Sequence, residues 1–148
     1  MFSRVADEDA LLISLDVPPN GHGFGYPHWR KKLFKSFARA RQRIELVQAD
    51  SHDLRTPHHI QKLLGDRELD LLFIDGDHSY EGVRKDYELY TPLVRKGGLI
   101  VFHDIVPCPP KRRCGVPQFW QEMKQLGQVT EFVSDWGQGG YGIGIMKK

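Results

Sequence analysis

The chain is predicted to be an α/β protein with a mostly parallel sheet, and three observations carry that prediction. Leu71-Leu72-Phe73-Ile74 and Leu99-Ile100-Val101-Phe102 are apolar runs of strand length, and they stop at Asp75-Gly76-Asp77-His78 and at His103-Asp104. Unbroken runs of this kind suit strands buried on both faces of a parallel sheet. Such runs alternate with segments of helical periodicity, the order that builds βα units. The last two apolar stretches, 129–133 and 141–146, are joined by a Gly-rich link so short that they can pair only antiparallel.

Each element has its own signal. A first strand is expected at 10–16, ending in Asp16, and the Pro and Gly residues of 18–27 mark a loop. Trp29, Leu33, Phe37 and Ala40 recur at helical spacing, which predicts a helix over 29–40 with those residues on its buried stripe. A strand at 44–49 runs into Asp50-Ser51-His52-Asp53. Thr56-Pro57 reads as an N-cap and first-turn pair for a helix to Leu64, stopped by Gly65. Strand 69–74, helix 80–90 broken at Pro92, and strand 99–102 follow. A Pro-rich, basic loop at 106–115 is of the kind that covers sites. Helix 116–126 carries Phe119, Trp120 and Met123 on one side, and 1–148 reads as one domain.

Composition narrows the function classes. At 148 residues, 40% hydrophobic and 27% charged, the chain is an ordinary globular protein able to bury roughly 70% of its unfolded surface. No apolar run approaches the roughly 20 residues of a membrane span, and the N-terminus lacks a signal-peptide pattern, so a cytoplasmic location is the default. Cys108 and Cys114 are the only cysteines. They are expected to be free thiols. A local disulfide stays open, and two cysteines without a second pair are a poor zinc signal. Seven basic residues and no acid lie between Trp29 and Arg43. A solvated helix face is preferred there to a phosphate or nucleic-acid site, because no nucleic-acid-binding motif accompanies the charge.

In open α/β sheets the ligand crevice lies outside the carboxyl ends of the strands. Two neighbouring strands would therefore bring Asp75, Asp77, His78, His103 and Asp104 to one place.

From Leu11 to the C-terminus the chain resembles the class I S-adenosylmethionine-dependent methyltransferases. Within them it is similar to the small metal-dependent O-methyltransferases and the related cephalosporin-hydroxylase and macrolide-sugar methyltransferase group. The motifs are Leu15-Asp16, Ala49-Asp50-Ser51-His52-Asp53, Phe73-Ile74-Asp75-Gly76-Asp77-His78 and Gly97-Gly98-Leu99-Ile100-Val101-Phe102-His103-Asp104. The last two, at this separation, are the specific ones. The resemblance implies a Rossmann-like methyltransferase sandwich with S-adenosylmethionine as cofactor. Asp16 would accept hydrogen bonds from the ribose hydroxyls, for which an ionised carboxylate is suited. Asp50, Ser51 and His52 would frame the adenine, with Asp50 accepting from its amino group. Helix and loop capping are the alternative roles for Asp16, Asp50 and Ser51.

Asp75, His103 and Asp104 stand where the family holds a divalent cation. His103 replaces what is commonly an acid there. Carboxylates favour magnesium and an imidazole moves the preference toward manganese, iron or zinc, so magnesium or manganese is expected. His103 could instead only orient Asp104. His78, three residues after Asp75, stands where the family keeps a general base, and histidine suits that role near neutral pH. Its alternative is a helix N-terminal residue without chemistry. Asp77 either orients His78 or caps the following helix.

The family's first strand and glycine-rich loop are not found ahead of Asp16, where about 20 residues would be needed for them. The chain is thus expected to be an N-terminally truncated domain, with residues 2–5 as the end of the family's first helix. Open strand edges are then expected to favour a homo-oligomer. Two functions follow: metal-assisted O-methyl transfer to a small hydroxylated molecule, or a non-catalytic remnant acting as a binding or assembly module. Nucleic-acid binding through the basic segment ranks third.

Overall fold

The computed structural model describes residues 2–19, 25–109 and 114–148. They form two compact units, Met1–Leu64 and Gly65–Lys148.

In the first unit a short 3-10 turn (Phe2–Arg4) precedes β1 (Leu11–Asp16), α1 (Arg30–Lys35), β2 (Arg43–Gln48) and α2 (Arg55–Leu64). β1 and β2 pair in parallel from Leu11–Arg43 to Asp16–Gln48. Asp16 and the residues that follow Gln48 therefore emerge at the same end of this two-stranded sheet. The buried Gln42 organises the approach to β2. Its amide nitrogen donates to the carbonyls of Ser3, Ala6 and Asp7 at 2.9–3.1 Å, and its oxygen accepts from the Arg39 N–H at 3.0 Å.

α1 is shorter than its periodicity predicts. The Ser36 hydroxyl donates back to the Leu33 carbonyl at 2.7 Å, the local bond by which serine competes with helix continuation. Ala40 then turns into the left-handed region, with φ of 49°. The expected buried stripe does not form: Trp29, Leu33 and Phe37 stay 68%, 49% and 49% exposed. Phe34 packs instead, edge-on against Tyr26 at 5.3 Å. α2 starts one residue before Thr56. The Asp53 carboxylate accepts the Arg55 N–H at 2.9 Å, and the Thr56 hydroxyl donates to the Asp50 carbonyl at 2.7 Å. The Arg55 guanidinium also pairs with Asp53 and holds that carboxyl down at about 2.

The second unit contains β3 (Leu69–Ile74), α3 (Tyr80–Tyr90), β4 (Val94–His103), α4 (Val116–Met123), β5 (Val129–Phe132) and β6 (Ile143–Lys147). The sheet order is β3-β4-β6-β5, with β3 and β4 parallel and β6 antiparallel to both of its neighbours. The closing hairpin forms as expected, but its second strand sits inside the sheet. β5 takes the edge and runs in the direction of β4. β4 begins earlier than predicted because Val94 pairs with Leu69 before a register shift. Gly97 and Gly98 then exchange backbone hydrogen bonds with Lys148 at 2.8 and 2.9 Å.

The core lies on one face of this sheet. Ile74, Ile100 and Phe102 meet Val83 from α3 and Phe119, Trp120 and Met123 from α4. Phe102 makes ring contacts with Tyr87, Phe119 and Trp120 at 5.6–6.1 Å. On the other face Leu71, Phe73 and Leu99 keep 36–40% of their surface, so these strands are not covered on both sides as their apolar runs suggest. Both helices of the unit pack on the first face.

The Trp120 indole N–H, fully buried, donates to Glu131 Oε1 on β5 at 2.7 Å, and the Lys124 ammonium lies 3.0 Å from the same oxygen. Burial alone would raise the Glu131 carboxyl. The donors from Trp120 and Lys124 outweigh it and hold the group below its ordinary value. This contribution is present at neutral pH and is lost as pH falls through the depressed value. Glu131→Ala strands the indole N–H, so urea unfolding at pH 7 is expected to show a loss of about 1–3 kcal/mol. The difference from wild type should shrink as pH falls below the ordinary glutamate range and the wild-type carboxyl protonates.

Candidate active site

Parallel pairing places Ile74, the last residue of β3, opposite Phe102, so Asp75 leaves the sheet beside His103, the last residue of β4. Asp104 follows in the left-handed region, φ 63°, which aspartate tolerates better than most residues. Its side chain is 1% exposed, and Oδ1 accepts the Tyr141 N–H at 2.9 Å. The Val106 N–H donates to the Tyr141 carbonyl at 3.0 Å, so the chain on both sides of Ile105 is held to Tyr141, two residues before β6.

His78 reaches the same place from the turn before α3. Asp77 Oδ1 accepts the Ser79 N–H at 2.8 Å, and the Ser79 hydroxyl accepts the Gly82 N–H at 3.0 Å as the helix N-cap. Of the two roles open to Asp77, capping is the one its contacts carry. The turn is tight enough that a Cβ on Gly82 would lie 2.3 Å from Asp77 Cγ.

Four side chains converge. His78 Nε2 is 3.3 Å from Asp75 Oδ1, and His78 Nδ1 is 3.1 Å from Asp104 Oδ2. His103 Nδ1 is 3.1 Å from Asp75 Oδ1 and 3.3 Å from Asp104 Oδ1. The His103 nitrogen is buried and makes no hydrogen bond among the described residues, although it stands between two carboxylates. A ring nitrogen among carboxylate oxygens, close but unbonded, is what a set of ligands around a divalent cation offers, and His103 Nδ1 stands in that relation to Asp75 and Asp104. Asp75, His78 and His103 present one ligand atom each within 4.8 Å of one another.

A residue that the sequence did not single out also lies here. Cys114 forms a second close group with His78 and Asp104, again within 4.8 Å. Gly115 explains why. Its N–H donates to the His78 carbonyl at 2.7 Å, and a Cβ there would lie 2.2 Å from the Tyr80 nitrogen, so only glycine lets the two segments approach so closely. Burial pushes the Cys114 thiol up to about 11, with the neighbouring Cys108 thiol and Asp104 adding to the shift. Both cysteines are free.

In the first unit, Asp16 and the turn after β2 share the carboxyl end of the β1–β2 pair. The Ala49 N–H donates to the Asp16 carbonyl at 2.9 Å. Asp16 Oδ1 accepts the Val17 N–H and Asp50 Oδ1 accepts the His52 N–H, both at 2.8 Å, and Ser51 and His52 are half-buried in that turn. Tyr26, missed by the sequence reading, belongs with them. Its hydroxyl is buried without a hydrogen-bond partner among the described residues. Burial, and then the Asp16 charge, raise its pKa.

No helix among the described residues is long and apolar enough to cross a membrane. A family model described as a methyltransferase domain matches residues 1–105. A probable caffeoyl-CoA O-methyltransferase 3 from Dictyostelium discoideum is 31% identical over 109 residues, 71% of this chain and 38% of the relative. The chain spans well under half the length of the curated relatives it matches. Among solved structures, cofactor-bound Rv0187 from MTB superposes with a TM-score of 0.66 at 19% identity, covering 97% of this chain and 63% of that one. MycE methyltransferase of the mycinamycin biosynthetic pathway, in complex with Mg, SAH and mycinamycin VI, gives 0.59 at 19% identity over 99% and 47%. The family model spans most of the chain and the fold agrees with it over nearly its whole length: the chain belongs to the methyltransferase-domain family and has the Rossmann-like architecture of its class I members.

Proposed function

We propose that this chain serves S-adenosylmethionine-dependent O-methyl transfer to a small hydroxylated substrate, with Asp75, His103 and Asp104 as ligands of a divalent cation and His78 as the proton acceptor. The observation that carries this reading is the approach of both carboxylates to both imidazoles at 3.1–3.3 Å. The O-methyltransferase relative supports the reaction class, and the Mg and SAH in the MycE complex support the cofactor and the kind of ion.

When bound, a cation supplies positive charge that lowers the pKa of an acceptor hydroxyl. The rest falls to this chain's own groups. His78 collects the hydroxyl proton, and a proton on its ring is held between the oxygens of Asp75 and Asp104. Asp75, 46% exposed at its side chain, leaves the site open to a ligand, whereas Asp104 is fixed by burial and by the Tyr141 N–H. Two acids and one imidazole favour magnesium or manganese. In the first unit Asp16 accepts the ribose hydroxyls, Asp50 accepts the adenine amino group, and Ser51 and His52 border the base. The non-catalytic module remains the second reading, and the variants below separate the two.

His78→Ala is expected to lower methyl transfer about 10²- to 10⁴-fold while leaving manganese binding by calorimetry intact. Asp75→Ala should lose both, and full activity of that variant in the presence of a chelator would overturn the metal role. Asp16→Ala should weaken S-adenosylmethionine binding by about tenfold or more, since a carboxylate hydrogen bond contributes about 1.5–3 kcal/mol. Unchanged affinity by calorimetry would return Asp16 to a loop-capping role.

A further inference from the structure

Asp104 presents its two oxygens in different directions. Oδ1 takes the Tyr141 N–H and lies 3.3 Å from His103, and Oδ2 lies 3.1 Å from His78 Nδ1. His78 likewise divides its ring, with Nε2 toward Asp75 and Nδ1 toward Asp104. Cys114 also meets these two residues, and its ligand atom and theirs lie within 4.8 Å of one another.

We propose a second metal site in this chain, formed by His78, Asp104 and Cys114, that takes a thiophilic divalent cation of the zinc and cobalt class. The donor set decides the ion. One imidazole, one carboxylate and one sulfur suit zinc with its fourth position left to a further donor, and a thiolate selects against magnesium and calcium. Zinc holds such ligands at about 2.0–2.3 Å, and three ligand atoms already within 4.8 Å of one another can close on one ion by side-chain rotation. The site is built by the fold. The buried Asp104 is fixed by Tyr141, and the Gly115 bond to the His78 carbonyl brings Cys114 against the imidazole. On binding, the Cys114 thiol loses its proton to solvent and forms a sulfur–metal bond, with no change of oxidation state.

The site has a consequence that rests on the proposed function. A metal on His78 occupies the lone pair that accepts the substrate's proton, so zinc should inhibit an enzyme that magnesium or manganese supports.

Cobalt(II) added to the reduced full chain reports the site directly through the thiolate-to-cobalt charge-transfer band. The expected result is a band that saturates near one equivalent, is displaced by zinc, persists in Asp75→Ala, and is lost or weakened at least about tenfold in Cys114→Ser. Circular dichroism confirms that each variant is folded. Absence of the band in folded wild type, or an unchanged band in folded Cys114→Ser, would overturn the proposal. The band does not depend on turnover. A chain that shows it yet transfers no methyl group with any metal would contradict the proposed function and leave the second site standing.

Discussion

The parallel register of β3 on β4 is the constraint on which the candidate site depends. With Ile74 opposite Phe102, two apolar strands end together, and the polar residues that follow have nowhere to go but the same rim. The pairing is held from below by packing. Phe102 and Ile100 are almost fully buried, and Phe102 sits among Tyr87, Phe119 and Trp120. A slip by one residue would turn Phe102 out of that cluster and Asp104 out of its pocket, so core burial and site geometry enforce the same register. Stability and chemistry are coupled through one pair of strands.

The rim itself concentrates charge. Two carboxylates lie against two imidazoles, one of the carboxylates is almost completely buried, and one imidazole nitrogen is buried without a hydrogen bond. Left alone, such a group carries desolvated acceptors in excess of donors, and a bound cation relieves that imbalance. The same reasoning separates the two faces of Asp104. Oδ1 has the His103 nitrogen beside it, Oδ2 has His78, and the Cys114 sulfur lies in one close group with His78 and Asp104. His78 belongs to both groups, which makes it the residue through which one metal would affect the other.

Much of this was legible in the sequence because the decisive signals are local. Leu69–Ile74 and Tyr80–Tyr90 fall where the apolar run and the break at Pro92 put them. Asp75, His78, His103 and Asp104 were named because they directly end those elements or precede a helix. The less legible parts depend on contacts distant along the chain or on short-range competition. α1 stops early because Ser36 bonds back to Leu33 and Gln42 closes the turn before β2, and helical spacing of Trp29, Leu33 and Phe37 carries no information on either. β6 enters the sheet beside β4, a choice that the link between β5 and β6 does not encode. Cys114 reaches His78 through one backbone bond from Gly115, across a sequence gap that no motif spans. Tyr26 was hidden because an unpaired hydroxyl is visible only once its surroundings are folded.

The central claim is that the ends of β3 and β4 form a cation site. Anomalous diffraction from crystals grown with manganese tests it most directly. The account predicts an anomalous peak within about 2.0–2.3 Å of oxygens of Asp75 and Asp104 and of a His103 ring nitrogen, distances typical of such ions. Fully ordered side chains at those positions with no peak between them, or a manganese peak only elsewhere on the chain, would contradict it.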